Sequence, residues 1–346
     1  MPRSQDLSGG SDSTNLQAGR DIVYYGASAT EVREIALDVY EANILRLRGI
    51  AEDVARGRAE RITQEFLEKL ISDNPAALNS MQDPDMLNTV FTAQKAYAYS
   101  GEEDLEKVLV DLLVDRSGQQ DRKLKTLVLN EAIAVLPKLS IRQRKSIAFW
   151  FFIRYVRYVA PLDLDEYYAN LARGVSPFVG MLSDRRADYE HIQATAAGSI
   201  SAFSFMVGAL FTASASGFFT KGFTEDQIDD DLRQFLSDQD IFIPCIRDPM
   251  KWQVKVTSQQ DIETISMAKG IPSGRLENLA GLGWMTQPEI EADVISHIPE
   301  MKNAFDLWSK NDFPLQHLEL TSIGKAIGHA YWRQATGDSA PLDIWL

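Results

Sequence analysis

The run Ile147-Ala148-Phe149-Trp150-Phe151-Phe152-Ile153 leaves this chain few ways to fold. It lies between a helix-capping residue, Ser140, and a helix stop, Pro161, so a helix to about Val159 is expected. Consecutive apolar side chains cover every side of such a helix, and a helix without a polar face has to be surrounded. The rest of the chain supplies neighbours. Asp83-Pro84 reads as the N-cap and first residue of a helix ending near Gly101. Glu102 to Arg116 follows, with Leu105, Val108, Leu109, Leu112 and Leu113 on one face. Gln120 to Val135 is a further helix, stopped before Pro137, and short helices are expected around 164–172 and 177–183. Upstream, Ser28-Ala29-Thr30-Glu31 fits a capping box. Helical spacing then runs from about Ala29 to about Ser72, with Gly49 and Gly57 as its weak points. Unbroken, that helix would be about 65 Å long.

The second half changes character. No Lys, Arg, Asp or Glu falls between Glu190 and Lys221. The stretch is long enough to span a bilayer. Ser, Thr, Gly, Gln and His dilute it, so a buried helix joined to a short strand is the preferred reading. Beyond Thr224, read as a helix cap, the chain turns acidic, and 241–244 and 252–256 look like strands. Gly274 to Met285 resembles the last helix and turn of a winged-helix unit, with 315–320 as a wing strand and 322–336 as the closing helix. The expected fold is mainly α. A β-type self-association segment occupies 1–27. A helical domain over 28–185 contains the long helix and a bundle, and a smaller α/β, winged-helix-like domain occupies 186–346.

The N-terminal stretch Ser13 to Gly26 is unusual for a Gly/Ser-rich tail. Leu16, Ala18, Ile22 and Val23 give it an apolar side, and Gly19 and Gly26 punctuate it. Strands this short are not stable alone in water, so the segment needs a partner. Leu16, Gln17, Ala18, Gly19, Arg20, Asp21 and Ile22 are therefore the candidate self-association residues. The string Ser-Thr-Asn-Leu-Gln-Ala-Gly-Arg-Asp-Ile resembles the Ser-Thr-Asn-Ile-Gln-Ala-Gly-Arg-Asp-Ile tail of many bacterial proteins, often encoded near phage-defence or other mobile genes. The likeness continues through Glu31–Val39, Leu109–Ser117 and Leu320–Gly328. These pieces resemble an uncharacterised bacterial family of about this length. The resemblance implies a homo-oligomer in a defence setting, with another defence protein or a phage component as partner. It brings no catalytic activity with it.

Candidate chemistry is sparse. The four histidines, His191, His297, His317 and His329, lack metal-ligand spacing, and surface or half-buried positions are expected for them. Cys245 has no histidine near it in sequence and reads as a buried, unreactive thiol; alone, it excludes an internal disulfide. Asp229-Asp230-Asp231 cannot converge on one ion from consecutive helical positions. Lys269 to Gly274 reads as a turn rather than a phosphate loop. No cofactor or metal is expected.

The electrostatic anomaly is a basic cluster from Arg116 to Arg157. It includes Arg122, Lys123, Lys125, Lys138 and Arg154, and Arg142, Arg144 and Lys145 form its candidate anion or partner face. A net charge of −14 disfavours nucleic acid and anionic lipid as general partners, so the acidic second half of the same chain or a neighbouring subunit is the expected counterpart of the cluster, with another subunit expected for Arg142, Arg144 and Lys145. The first 26 residues lack the apolar core of a signal peptide, and a cytoplasmic location is expected. The leading functional expectation is a non-enzymatic, self-assembling interaction or sensor protein in antiphage defence. Alternatives are a winged-helix nucleic-acid binder and a membrane-associating effector using 191–220.

Overall fold

The structure is a computed structural model that describes residues 28–43, 49–119, 121–157, 163–255 and 259–346. The proposed self-association residues Leu16 to Ile22 lie outside these.

The chain opens with α1 (Ala29–Asn43) and α2 (Ile50–Asp73). At the start of α1, the Ser28 amide donates to Glu31 at 2.7 Å, and the Glu31 amide to Ser28 at 3.3 Å. The expected long helix is two helices. Gly49, at φ 65°, stands before α2 in the left-handed region that L side chains avoid. α1 then packs on α2 instead of extending it: the Tyr40 hydroxyl donates to Ala55 O at 3.3 Å, within a small cluster with Ala59 and Ala98.

The bundle continues with α3 (Pro84–Ser100), α4 (Glu103–Ser117), α5 (Leu124–Val135) and α6 (Ile141–Tyr155). Asp83 caps α3 and Gly101 ends it in the left-handed conformation. Ser140 caps α6 in a reciprocal box with Gln143. Ile147, Ala148, Phe149, Trp150 and Phe151 are fully buried, as a helix apolar all round requires. A single helix, α7 (Leu164–Val179), replaces the two short ones expected there. Pro177 lies in its last turn, where it removes one backbone donor without stopping the helix.

After α8 (Arg186–Ala194), the uncharged stretch forms β1 (Gly198–Ile200) and the nine-residue α9 (Val207–Ala215). No described helix is long and apolar enough to cross a membrane. Thr224 caps only one 3-10 turn, and α10 (Asp230–Arg233) is a single turn. β2 (Phe242–Pro244) and β3 (Trp252–Val254) pair antiparallel, Phe242 opposite Val254. Then come α11 (Gln259–Lys269), α12 (Ser273–Leu282), α13 (Gln287–His297), α14 (Met301–Trp308), β4 (Leu318–Leu320) and α15 (Ser322–Thr336).

These elements do not assemble a winged helix. β4 pairs antiparallel with β1, not within a hairpin beside α12. α15 lies against α6 in the middle of the bundle. The reason is local: Gly324 and Gly328 bare one side of α15. A Cβ on Gly328 would stand 2.4 Å from Phe151 Cβ, and one on Gly324 1.8 Å from Ala197 O. Only glycine lets the backbones approach so closely. The main core therefore runs from Val32 to Leu342 and crosses the 185/186 boundary. A second, smaller core holds Phe223, Ile228, Phe242, Val254, Ile262 and Leu276.

A polar cluster ties the two cores together. Arg247, just after β2, donates to both oxygens of Asp293 on α13, at 2.9 and 2.6 Å, and to the Tyr168 hydroxyl on α7 at 3.1 Å. Tyr168 also donates to Asp293, and the His297 ring stacks on it with centroids 3.8 Å apart.

Candidate functional site

α4 buries Leu105, Val108, Leu109 and Leu112 in the main core. A different side carries Asp104, Lys107, Asp111 and Asp115, spaced three or four apart and so stacked along the helix. These face a cleft of about 1050 Å³. α2 contributes Arg61, Glu65 and Lys69, α6 contributes Lys145, and the end of α15 contributes Tyr331, Arg333 and Gln334.

Opposite charges meet across the helices that form the walls. Arg61 reaches Glu106 at 2.8 Å, and Lys69 lies 3.5 Å from Asp111. Gln334 donates to the other Asp111 oxygen at 2.9 Å. Arg333 donates to both oxygens of Asp115, at 2.8 and 2.9 Å. Lys145 reaches Asp104 at 2.7 Å while its ammonium sits 4.6 Å from the centre of the Tyr331 ring. The Tyr331 hydroxyl donates to the second Asp104 oxygen.

Two of the carboxylates are buried. Glu106 is 3% exposed and Asp111 7%. Burial pushes both carboxyls above their ordinary values, because a charged oxygen loses more hydration than a neutral one. Glu106 Oε1 has no hydrogen-bond partner. Burial also raises the Tyr331 hydroxyl, which stays a donor.

The basic cluster is largely absorbed by these contacts. Arg144 is buried and paired with Glu102, with Asp104 at 3.7 Å. Lys145 shares Asp104, so two of the three residues expected to meet another subunit find their acids at the start of α4 in the same chain. Arg142 is exposed. Arg116 is buried, donating to Asp85 at 2.9 Å and Asn130 at 2.7 Å. Lys123 pairs with Asp121, and Lys125 with Asp343. The Arg154 guanidinium lies 4.8 Å from the Phe205 ring centre.

The other candidates separate. His329 is not a surface residue: it is 1% exposed, between Phe151, Trp332 and Trp345. Its Nε2 is 2.8 Å from Ala340 O, so that nitrogen carries the hydrogen, and Nδ1 has no partner. Cys245 is buried, its sulfur 3.8 Å from Thr220 O. Asp230 and Asp231 are exposed and pair with Arg233 and Arg275. Among the described residues, no group of three or more His, Cys, Asp or Glu side chains is placed to hold a metal ion.

The cleft escaped the sequence reading. Its local signal is the acid stripe of α4 opposite the leucine face, which looks like any solvated helix face. Which cations meet it depends on α2, α6 and α15.

A family model matches residues 26–346, and the chain belongs to that family, which is uncharacterised. No curated protein and no solved structure matches the chain.

Proposed function

We propose that the protein is a non-enzymatic interaction or sensor protein that assembles with copies of itself, and that the α2–α4–α15 cleft is where it senses a ligand. The observation that carries this reading is that the ion pairs lining the cleft are also bonds between helices. Arg61–Glu106 and Lys69–Asp111 join α2 to α4, and Arg333–Asp115 joins α15 to α4. A ligand entering the cleft has to exchange partners with these groups, so occupancy changes how the helices are held together. Binding with different affinity for two arrangements is what a sensor requires. Self-association through residues 1–27, and a role in antiphage defence, come from the resemblance of the tail and are part of the proposal.

The test pairs light scattering with phage challenge. Three chains are compared: the intact protein, Arg333→Ala, and a chain lacking residues 1–27. The expected result is an oligomer that protects cells, a smaller species without the tail, and reduced protection by Arg333→Ala with assembly retained. An intact chain that is monomeric, and whose tail and cleft variants behave as it does, would overturn the reading.

A further inference from the structure

We infer that the cleft takes a small organic cation with two or more amines, a linear aliphatic polyamine. This rests on reading the cleft as a ligand site and names what it binds.

The floor of the cleft leaves carboxylate acceptor capacity unfilled. Glu106 is nine-tenths or more buried and lines the cleft; Arg61 and the Tyr97 hydroxyl bond its carboxyl, yet Oε1 is left without a partner. A buried oxygen of this kind forfeits its hydration with nothing in exchange, so a donor that reaches it is favoured. Asp111, further along α4, has Gln334 on one oxygen and Lys69 only at 3.5 Å on the other. On the rim, Glu65 and Glu103 have no salt bridge among the described residues. The cations, by contrast, are mostly spoken for: Arg61, Lys69, Lys145, Arg333 and Lys125 each have a carboxylate within 4 Å. An incoming anion would have to break these pairs and sit on buried carboxylates. An incoming ammonium adds the missing donor.

The spacing selects a polyvalent cation. Asp111 stands five positions after Glu106, about 7 to 8 Å further along the axis of α4 and about 140° around it. A single ammonium cannot serve both carboxylates, whereas several amines spaced along one flexible chain can. Arg61 is the internal competitor. Its side chain is 49% exposed, so it can swing into water when an amine replaces it on Glu106. Each amine then makes charge-assisted bonds to a desolvated carboxylate, the strong kind.

The test is calorimetric titration of the full chain with spermidine, and separately with inorganic phosphate. Saturable spermidine binding is expected, weakened by about tenfold or more in Glu106→Gln, which keeps the shape and removes the charge. Two further variants turn the sign around. Arg61→Ala removes the competitor, and Lys107→Glu, at an exposed position on the cleft wall, adds negative charge without touching the core. Both should tighten spermidine binding. Saturable phosphate binding that weakens in Arg61→Ala would overturn the cation assignment and leave the ligand cleft standing. Spermidine binding indifferent to Glu106→Gln and Lys107→Glu would place the amine elsewhere and overturn the inference. No saturable binding of either probe would overturn the inference and the cleft together.

Discussion

α15 makes two contacts of opposite kinds within a few turns. Against the Phe151 side of α6 it is dry. Gly328 lies on Phe151, and Trp332 and His329 crowd the same ring with centroids about 6 Å away. Against α4 it is ionic, with Arg333 on Asp115 and Gln334 on Asp111. The dry seam is held by shape, since close-packed aromatic and glycine surfaces fit one arrangement and lose contacts in any other. The ionic seam is held by charges that water or a ligand can replace, and such pairs add little net stability once desolvation is counted. Stability and responsiveness are thus divided between neighbouring faces of one helix.

The comparison breaks most visibly in the dry seam. Phe151→Ala removes a fully buried aromatic side chain from it and should cost about 3–5 kcal/mol, as should Trp150→Ala on the side of α6 that meets Phe205 and Trp308, both read from denaturant unfolding. A loss below about 1 kcal/mol would mean that α6 is not the centre of the bundle. Gly328→Ala should cost about 1–3 kcal/mol, because its methyl group has to displace Phe151 or part α15 from α6. In an ordinary helix the same change would stabilise. An unchanged or raised Tm would show that the two helices are not in close contact. Arg333→Ala, in the ionic seam, should cost less than either.

These two seams were unequally legible in the sequence. The dry one announced itself at α6, where apolar residues at every position leave no alternative to burial. The caps at Ser28, Asp83 and Ser140 were equally plain, because a cap is a contact between residues three apart or fewer. The winged-helix expectation misplaces α15 because its sequence is half polar. What places it at the centre is the absence of side chains at Gly324 and Gly328, and a hydrophobic pattern does not register an absence. The ionic seam was invisible for a different reason. Arg333 and Asp115, or Lys145 and Asp104, are far apart in the chain, and every one of these charges alone looks like a solvated surface group. The basic cluster is plain in the sequence, but its partners at the start of α4 become neighbours only when the bundle closes.

The smallest expected effect, and the one that separates the seams by sign, is their response to pH. In the dry seam, burial holds His329 below its ordinary 6.5, although the bond to Ala340 opposes this. The folded state prefers the neutral ring, since a proton on Nδ1 would find no acceptor. Its contribution is therefore complete above pH 6.5 and is lost as the pH falls through the folded value. Asp111 in the ionic seam, and Glu106 where α4 meets α2, are raised from 3.8 and 4.5 by burial. Their folded state prefers the protonated form, so their contribution is complete at low pH and is lost as the pH rises through the folded values. Acid thus weakens one seam and relieves the other. His329→Gln should flatten the loss of stability just below pH 6.5, because an amide that does not titrate still donates to Ala340. Asp111→Asn should leave stability at pH 7 unchanged or slightly higher, within about 1 kcal/mol, and remove part of the relief at lower pH. If Asp111→Asn instead destabilised strongly at neutral pH, the ionized carboxylate would be a structural anchor, and the division between a fixed seam and an exchangeable one would fail.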